Sequence, residues 1–190
     1  MKVFVSGGCK NGKSFYAQRL AKDAAHIDGG ISLPLYYIAT MRPVDSEDDA
    51  RIARHIDERD GWGFATVEQY ERIEEILLKC DCGGSFLLDS LTALLAEEMF
   101  RPDGRVDEQA AVRIVQGLTE ILDSVSNIVI VSDYIYSDAA VFDPLTELYR
   151  KSLAMIDRVA AEMCDVVLEV AYAGVTVHKG KDVFRHEACV

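Results

Sequence analysis

Two glycines five positions apart, Gly7 and Gly12, run into a lysine and a serine, Lys13 and Ser14, in the stretch SGGCKNGKSFYAQRLA from Ser6 to Ala21. The spacing is G-x-x-x-x-G-K-S/T. Its physical content is a glycine-permitted turn that aims backbone N–H groups at phosphate oxygens just ahead of a helix N-terminus. On this reading Gly7, Gly8, Cys9, Lys10, Asn11 and Gly12 form the cradle. Lys13 reaches the β- and γ-phosphates of a nucleoside triphosphate, and the Ser14 hydroxyl ligates Mg2+. A plain surface turn would account for the glycines but for neither Lys13 nor Ser14.

A second constellation lies in DSEDDARIARHIDERDGW, Asp45 to Trp62. Ser46 followed three residues later by Asp49 has the form of a helix cap. Arg51, His55 and Arg59 follow at steps of four, so a helix puts all three on one face. Two flanking cations disfavour protonation of the imidazole. A neutral histidine is a nucleophile, and the guanidiniums could hold the phosphates it attacks. The competing reading is a solvated charged face with Ile52 and Ile56 packed on the other side.

Acids close two apolar runs, Asp89 at the end of SFLLD and Asp133 at the end of NIVIVSD. Such runs read as strands buried on both faces, and in α/β sheets ligands gather outside the carboxyl ends of the strands. Asp89, and Asp133 beside it, can therefore serve Mg2+ or a nucleotide ribose, or simply cap a helix.

The elements that must position these groups alternate. Strands are predicted at Lys2–Ser6, Leu35–Thr40, Phe64–Val67, Ser85–Asp89, Asn127–Asp133, Val166–Ala171 and Val175–Val177. Helices are predicted at Ser14–Ala25, Glu47–Arg59, Glu68–Lys79, Leu91–Phe100, Asp107–Val125 and Pro144–Cys164. The last has Asp143 as N-cap and Pro144 in its first turn. The pattern implies an α/β fold of the P-loop NTPase type, a largely parallel central sheet flanked by helices. No repeat, low-complexity tract or linker divides the 190 residues, so one nucleotide-binding domain over 1–190 is expected.

A net charge of −12 argues against a nucleic-acid partner, which clustered Lys and Arg would serve. Val3–Val5 is too short for a signal peptide and no run reaches a membrane span, so the expected compartment is the cytoplasm. Five cysteines at irregular spacing indicate neither a disulfide framework nor a four-ligand zinc site. His26, His178 and His186, with Lys179 and Lys181, read as surface or tail residues.

In sequence order, VSGGCKNGKS, then YYIATMRPVDSEDDARIARHIDERDGWGFATVE, LLDSLTALL and YRKSLAMIDRVAAEMCDVVLEVAYAG resemble the adenosylcobinamide kinase/adenosylcobinamide-phosphate guanylyltransferase family. The resemblance runs from Val3 to about Lys179. It implies phosphorylation of the acceptor hydroxyl by ATP or GTP, then transfer of GMP from GTP through a guanylyl-histidine at His55. It further implies Gly7 to Ser14 and Lys13 on triphosphate, Arg51 or Arg59 on phosphoryl oxygens, Asp89 at the ribose, a corrinoid acceptor and a homo-oligomer. Departures cluster late. SDYIYSDAAVFDPLTELYR lacks the family's usual glycines and Pro-Glu-Asn, Asp157-Arg158 stands where Asn-Gln is usual, Leu94 replaces Trp, and Asp60 replaces Pro. Tyr134 and Tyr136 could stack on a ligand ring, pack the loop or line a subunit contact. Two other functions remain open, a P-loop kinase or nucleotidyltransferase with another small acceptor, and a nucleotide-binding regulator without turnover.

Overall fold

The buried apolar runs become the middle of one sheet. In the computed structural model, which describes residues 1–27, 31–43, 53, 56, 59–136, 139–172 and 174–184, the strands are β1 (Lys2–Gly7), β2 (His26–Ile27), β3 (Ile31–Ser32), β4 (Leu35–Ala39), β5 (Phe64–Glu68), β6 (Ser85–Asp89), β7 (Asn127–Asp133), β8 (Val166–Ala171) and β9 (Gly174–Lys179). Seven of them form a sheet in the order β5-β4-β6-β7-β1-β8-β9, parallel except for β9. β2 and β3 make a separate small hairpin that the sequence pattern did not announce.

Among the described residues four helices cover the sheet: α1 (Lys13–Ala25), α2 (Leu91–Met99), α3 (Ala110–Ser124) and α4 (Pro144–Met163). On one face α1 lays Ala17, Leu20, Ala21 and Ala25 against Val3, Val5, Val129 and Val131. The alanines let the helix sit close to the β-branched surface. On the other face α2, α3 and α4 enclose Phe4, Ile38, Phe86, Leu88, Ile128 and Ile130. Alternation along each strand thus splits its side chains between two apolar layers.

The helix expected over Glu68–Lys79 is not one. Glu68 ends β5 in register with Ala39, Arg72 turns the chain at φ 50°, and Ile73–Leu78 is a 3-10 helix. Ile73 and Ile76 are both fully buried, and residues three apart eclipse in that conformation. The turn seats on α3 at Gly117, where any Cβ would fall on Ile73 and the Glu74 carboxylate.

Ends are fixed locally. Asp143 accepts from the N–H groups of Leu145 (3.0 Å) and Thr146 (3.1 Å), and Pro144 opens α4. At its other end Lys179, read as a surface or tail residue and exposed here, donates from Nζ to the carbonyls of Ala161 (3.2 Å), Glu162 (2.8 Å) and Cys164 (2.7 Å). A cation on orphan carbonyls at a helix C-terminus satisfies them and meets the negative end of the dipole. Among the described residues no helix is long and apolar enough to cross a membrane.

Candidate functional site

The loop between β1 and α1 has the backbone that its glycines permit. Gly12 lies at φ 87°, immediately before the helix, a conformation costly for residues with a Cβ. Gly7 is required for a different reason: a Cβ there would land on the Asn11 amide and the Val170 carbonyl. Asn11 ties the loop to β8 by donating to Val170 O, while its Oδ1 accepts from the Lys13 N–H at 3.2 Å. Cys9 and Lys10 are exposed at the rim, and Ser14 follows Lys13 in the first turn of α1.

Lys13 is only 6% exposed. Its ammonium donates to the Gly8 carbonyl at 3.2 Å and is ion-paired with Asp133. The pairing follows from the register, since β7 is the immediate neighbour of β1 and Asp133 stands opposite Gly7. The Asp133 N–H donates to Thr92 Oγ1 at 2.9 Å, and the next N–H, of Tyr134, donates to Gly7 O at 3.2 Å. Lys13, Ser14 and Asp133 are thus collected at one end of the sheet.

That donor set fits a magnesium ion arriving with a nucleotide, which takes most of its ligands from phosphate and water and needs few from protein. The Ser14 hydroxyl and the Asp133 carboxylate would supply them. Among the described residues no group of three or more His, Cys, Asp or Glu could hold a metal by itself.

Asp89 is placed elsewhere. β7 separates β6 from β1, and Asp89 is level with Val131, two residues short of Asp133. Its Oδ2 accepts from the Tyr37 hydroxyl at 3.0 Å. It lines a cavity of about 170 Å³ with Thr40, Met41, Arg59, Thr66 and Tyr70. The structure therefore brings Asp133 to Lys13, and Asp89 to a neighbouring cavity at the same edge.

Arg51 and His55 lie outside the described residues. Ala53 and Ile56 are helical, and Ile56, the residue of the competing packed-face reading, is 49% exposed. Arg59 falls in a turn beyond the helix and is 7% exposed. Its guanidinium lies 3.9 Å from the Tyr37 ring centroid and donates to Thr66 Oγ1 at 3.2 Å. Three residues on, Trp62 sits 5.8 Å from the Phe15 ring on α1, with the Lys22 ammonium 4.5 Å away. The exit of the histidine segment is thus anchored both to the cavity and to the helix that follows the phosphate loop.

Sequence reading noted Asp157 only as part of the Asp157-Arg158 departure and gave it no role. Here α4 buries it, leaving 3% exposed. Desolvation pushes its carboxyl up to about 7, opposed by hydrogen bonds from Ser132 and Tyr136 and reinforced by the charge of Asp133. The Tyr136 hydroxyl donates to its Oδ2 at 2.8 Å. The altered segment after β7 has its own support: Arg150 donates from Nε to Ile135 O (3.0 Å) and from Nη1 to Ala140 O (3.3 Å), and stacks on Phe142.

A solved structure similar to this chain, a KaiC-like protein from Pyrococcus horikoshii OT3, covers 98% of it and 82% of its own length at a TM-score of 0.53 and 12% identity; this is a likeness of fold, of the P-loop NTPase kind. Two curated proteins, each named bifunctional adenosylcobalamin biosynthesis protein CobU, are also similar. The one from Escherichia coli K12 is 31% identical over 110 residues, covering 56% of this chain and 55% of its own. The one from Salmonella typhimurium LT2 is 30% identical over 111 residues, 57% and 56%. The match therefore spans about half the length of these relatives. The model of the family described as cobinamide kinase / cobinamide phosphate guanyltransferase matches residues 3–178. With a phosphate loop, an acid on the adjacent strand and a family match across nearly its whole length, the chain belongs to the cobinamide kinase / cobinamide phosphate guanyltransferase family.

Proposed function

We propose that the protein phosphorylates the hydroxyl of a cobinamide with ATP or GTP and then transfers GMP from GTP to the phosphate so formed. The observation that carries this reading is the Lys13 ammonium held on Asp133 at the mouth of the loop, in a chain whose family match runs from residue 3 to 178. Backbone N–H groups from Gly8 to Lys13 bind the triphosphate, and Lys13 leaves Asp133 for the phosphoryl oxygens, where negative charge builds during transfer. A magnesium ion held through Ser14 and Asp133 supplies further charge neutralisation when bound.

In the guanylyl step His55, kept neutral by Arg51 and Arg59 nearby in sequence, attacks the α-phosphorus of GTP and expels pyrophosphate. The substrate phosphate then displaces GMP from the imidazole. The exposure of Ile56 and the anchoring of Arg59 and Trp62 support a segment presented at the site and tethered at one end. Asp89, in the cavity beside that tether, is assigned to the nucleotide ribose.

Incubation with magnesium and GTP, followed by intact-mass spectrometry and peptide mapping, should reveal an acid-labile GMP adduct on His55. GTP binding without an adduct would remove the transferase half. A kinase or nucleotidyltransferase with another acceptor is the second reading, favoured by the Arg150-braced segment in place of the family's usual loop.

A further inference from the structure

One rung of the sheet breaks the apolar pattern of every strand it crosses. Ser6 is in register with Ser132 on one side and Glu169 on the other, and Glu169 with Thr176. Strands covered on both faces are ordinarily apolar at such positions. In-register neighbours share a face, and Phe4, two residues before Ser6, belongs to the core under α2, α3 and α4. The polar rung therefore faces the helical side, one residue below the phosphate loop.

Above it stands Asp157 of α4. Its Oδ1 is buried and has no hydrogen-bond partner among the described residues, and an unpaired buried acceptor costs the protein stability. Between helix and rung lies a cavity of about 550 Å³, lined by Ser6, Tyr134, Tyr136, Asp157, Arg158, Glu169 and His178 and otherwise by apolar walls. Tyr134 also borders a hollow beside Gly8, Lys10 and Asn11, so the cavity and the phosphate loop have a lining residue in common.

Mostly apolar walls with a few convergent polar groups are the signature of a small-molecule site. Asp157, and Glu169 held by His178 at 2.8 Å, offer acceptor oxygens to hydrogen-bond donors beside the Arg158 cation, while the tyrosine rings suit an apolar body. We propose that this cleft binds the phosphoryl acceptor, a molecule without anionic groups whose hydroxyl and amide N–H groups donate to Asp157 and Glu169 while its reacting end points toward the phosphate loop. The inference rests on the phosphotransferase reading above and adds the acceptor's location. A body larger than the cavity would insert only an arm.

The test uses adenosylcobinamide as probe, with equilibrium dialysis for the corrinoid and a fluorescent GTP analogue for the nucleotide. Ala154→Phe fills the cleft from α4, and Asp157→Leu removes the unpaired acceptor. Each variant, with a native circular dichroism spectrum, is expected to weaken corrinoid binding at least tenfold while GTP affinity stays within twofold. Wild-type corrinoid affinity in both folded variants would overturn the cleft assignment and leave the kinase reading standing. A wild-type protein that binds GTP but no adenosylcobinamide would overturn the corrinoid reading and the acceptor named here with it.

Discussion

Asp157 and Lys13 occupy opposite situations within one polar cluster. Lys13 is buried on the Gly8 carbonyl and the Asp133 carboxylate, whereas burial makes Asp157 hold its proton to higher pH than an exposed carboxyl. Native Asp157 releases that proton near pH 7, against about 3.9 when unfolded. Between those values the native state binds more protons, so this group's contribution to stability is complete below the unfolded value and is lost as pH rises through the native one. Asp157→Asn removes the dependence. Relative to wild type, its stability should rise by on the order of 3 kcal/mol between pH 4.5 and 7.5, read as urea midpoints. A pH-independent difference would contradict the assignment. Lys13 was legible because glycine spacing and residue type coincide; Asp157 was not, since its chemistry comes from the rung it faces across the sheet.

At the scale of elements, the strands of the large sheet and the N-cap of α4 were legible and the intervening geometry was not. Asp143 and Pro144 announced the start of α4, and the cap is present. Asp143→Ala should cost about 1 kcal/mol, measured by thermal or urea unfolding, with GTP binding unchanged. The 3-10 helix at Ile73–Leu78 was misread because Ile73, Ile76 and Leu77 also satisfy an α-helical pattern; Gly117 on another element decides between them. Lys179 was similarly hidden, since it caps a helix that ends fifteen residues earlier in the chain. Lys179→Met should lower stability by about 1 kcal/mol through the three freed carbonyls. No change in melting temperature would show that water replaces the ammonium without cost.

For the whole molecule, strand order decides which acid serves the phosphate loop. Asp89 and Asp133 are alike in sequence, each closing an apolar run. Only the insertion of β7 between β6 and β1 distinguishes them, and a long-range pairing of that kind leaves no local trace. The same order gives a linkage prediction. Saturating the loop at a hundred times the dissociation constant stabilises the fold by about 2.7 kcal/mol, so magnesium-GTP should raise the melting temperature by several degrees. Lys13→Ala should lose most of that rise, while Asp89→Asn keeps more of it. Equal losses in the two variants would mean that Asp89 shares the phosphate site.

The contact between Lys13 and Asp133 also bears on which anions the loop admits. The ammonium is already neutralised, within a chain of net charge −12, so the loop offers little attraction to a passing simple anion. A lone sulfate or inorganic phosphate that captured Lys13 would strand the carboxylate beside it. A triphosphate carrying its own divalent cation offers each member of the pair a replacement. On the proposed function the pair would act as a discriminator, favouring the metal-complexed nucleotide over small anions.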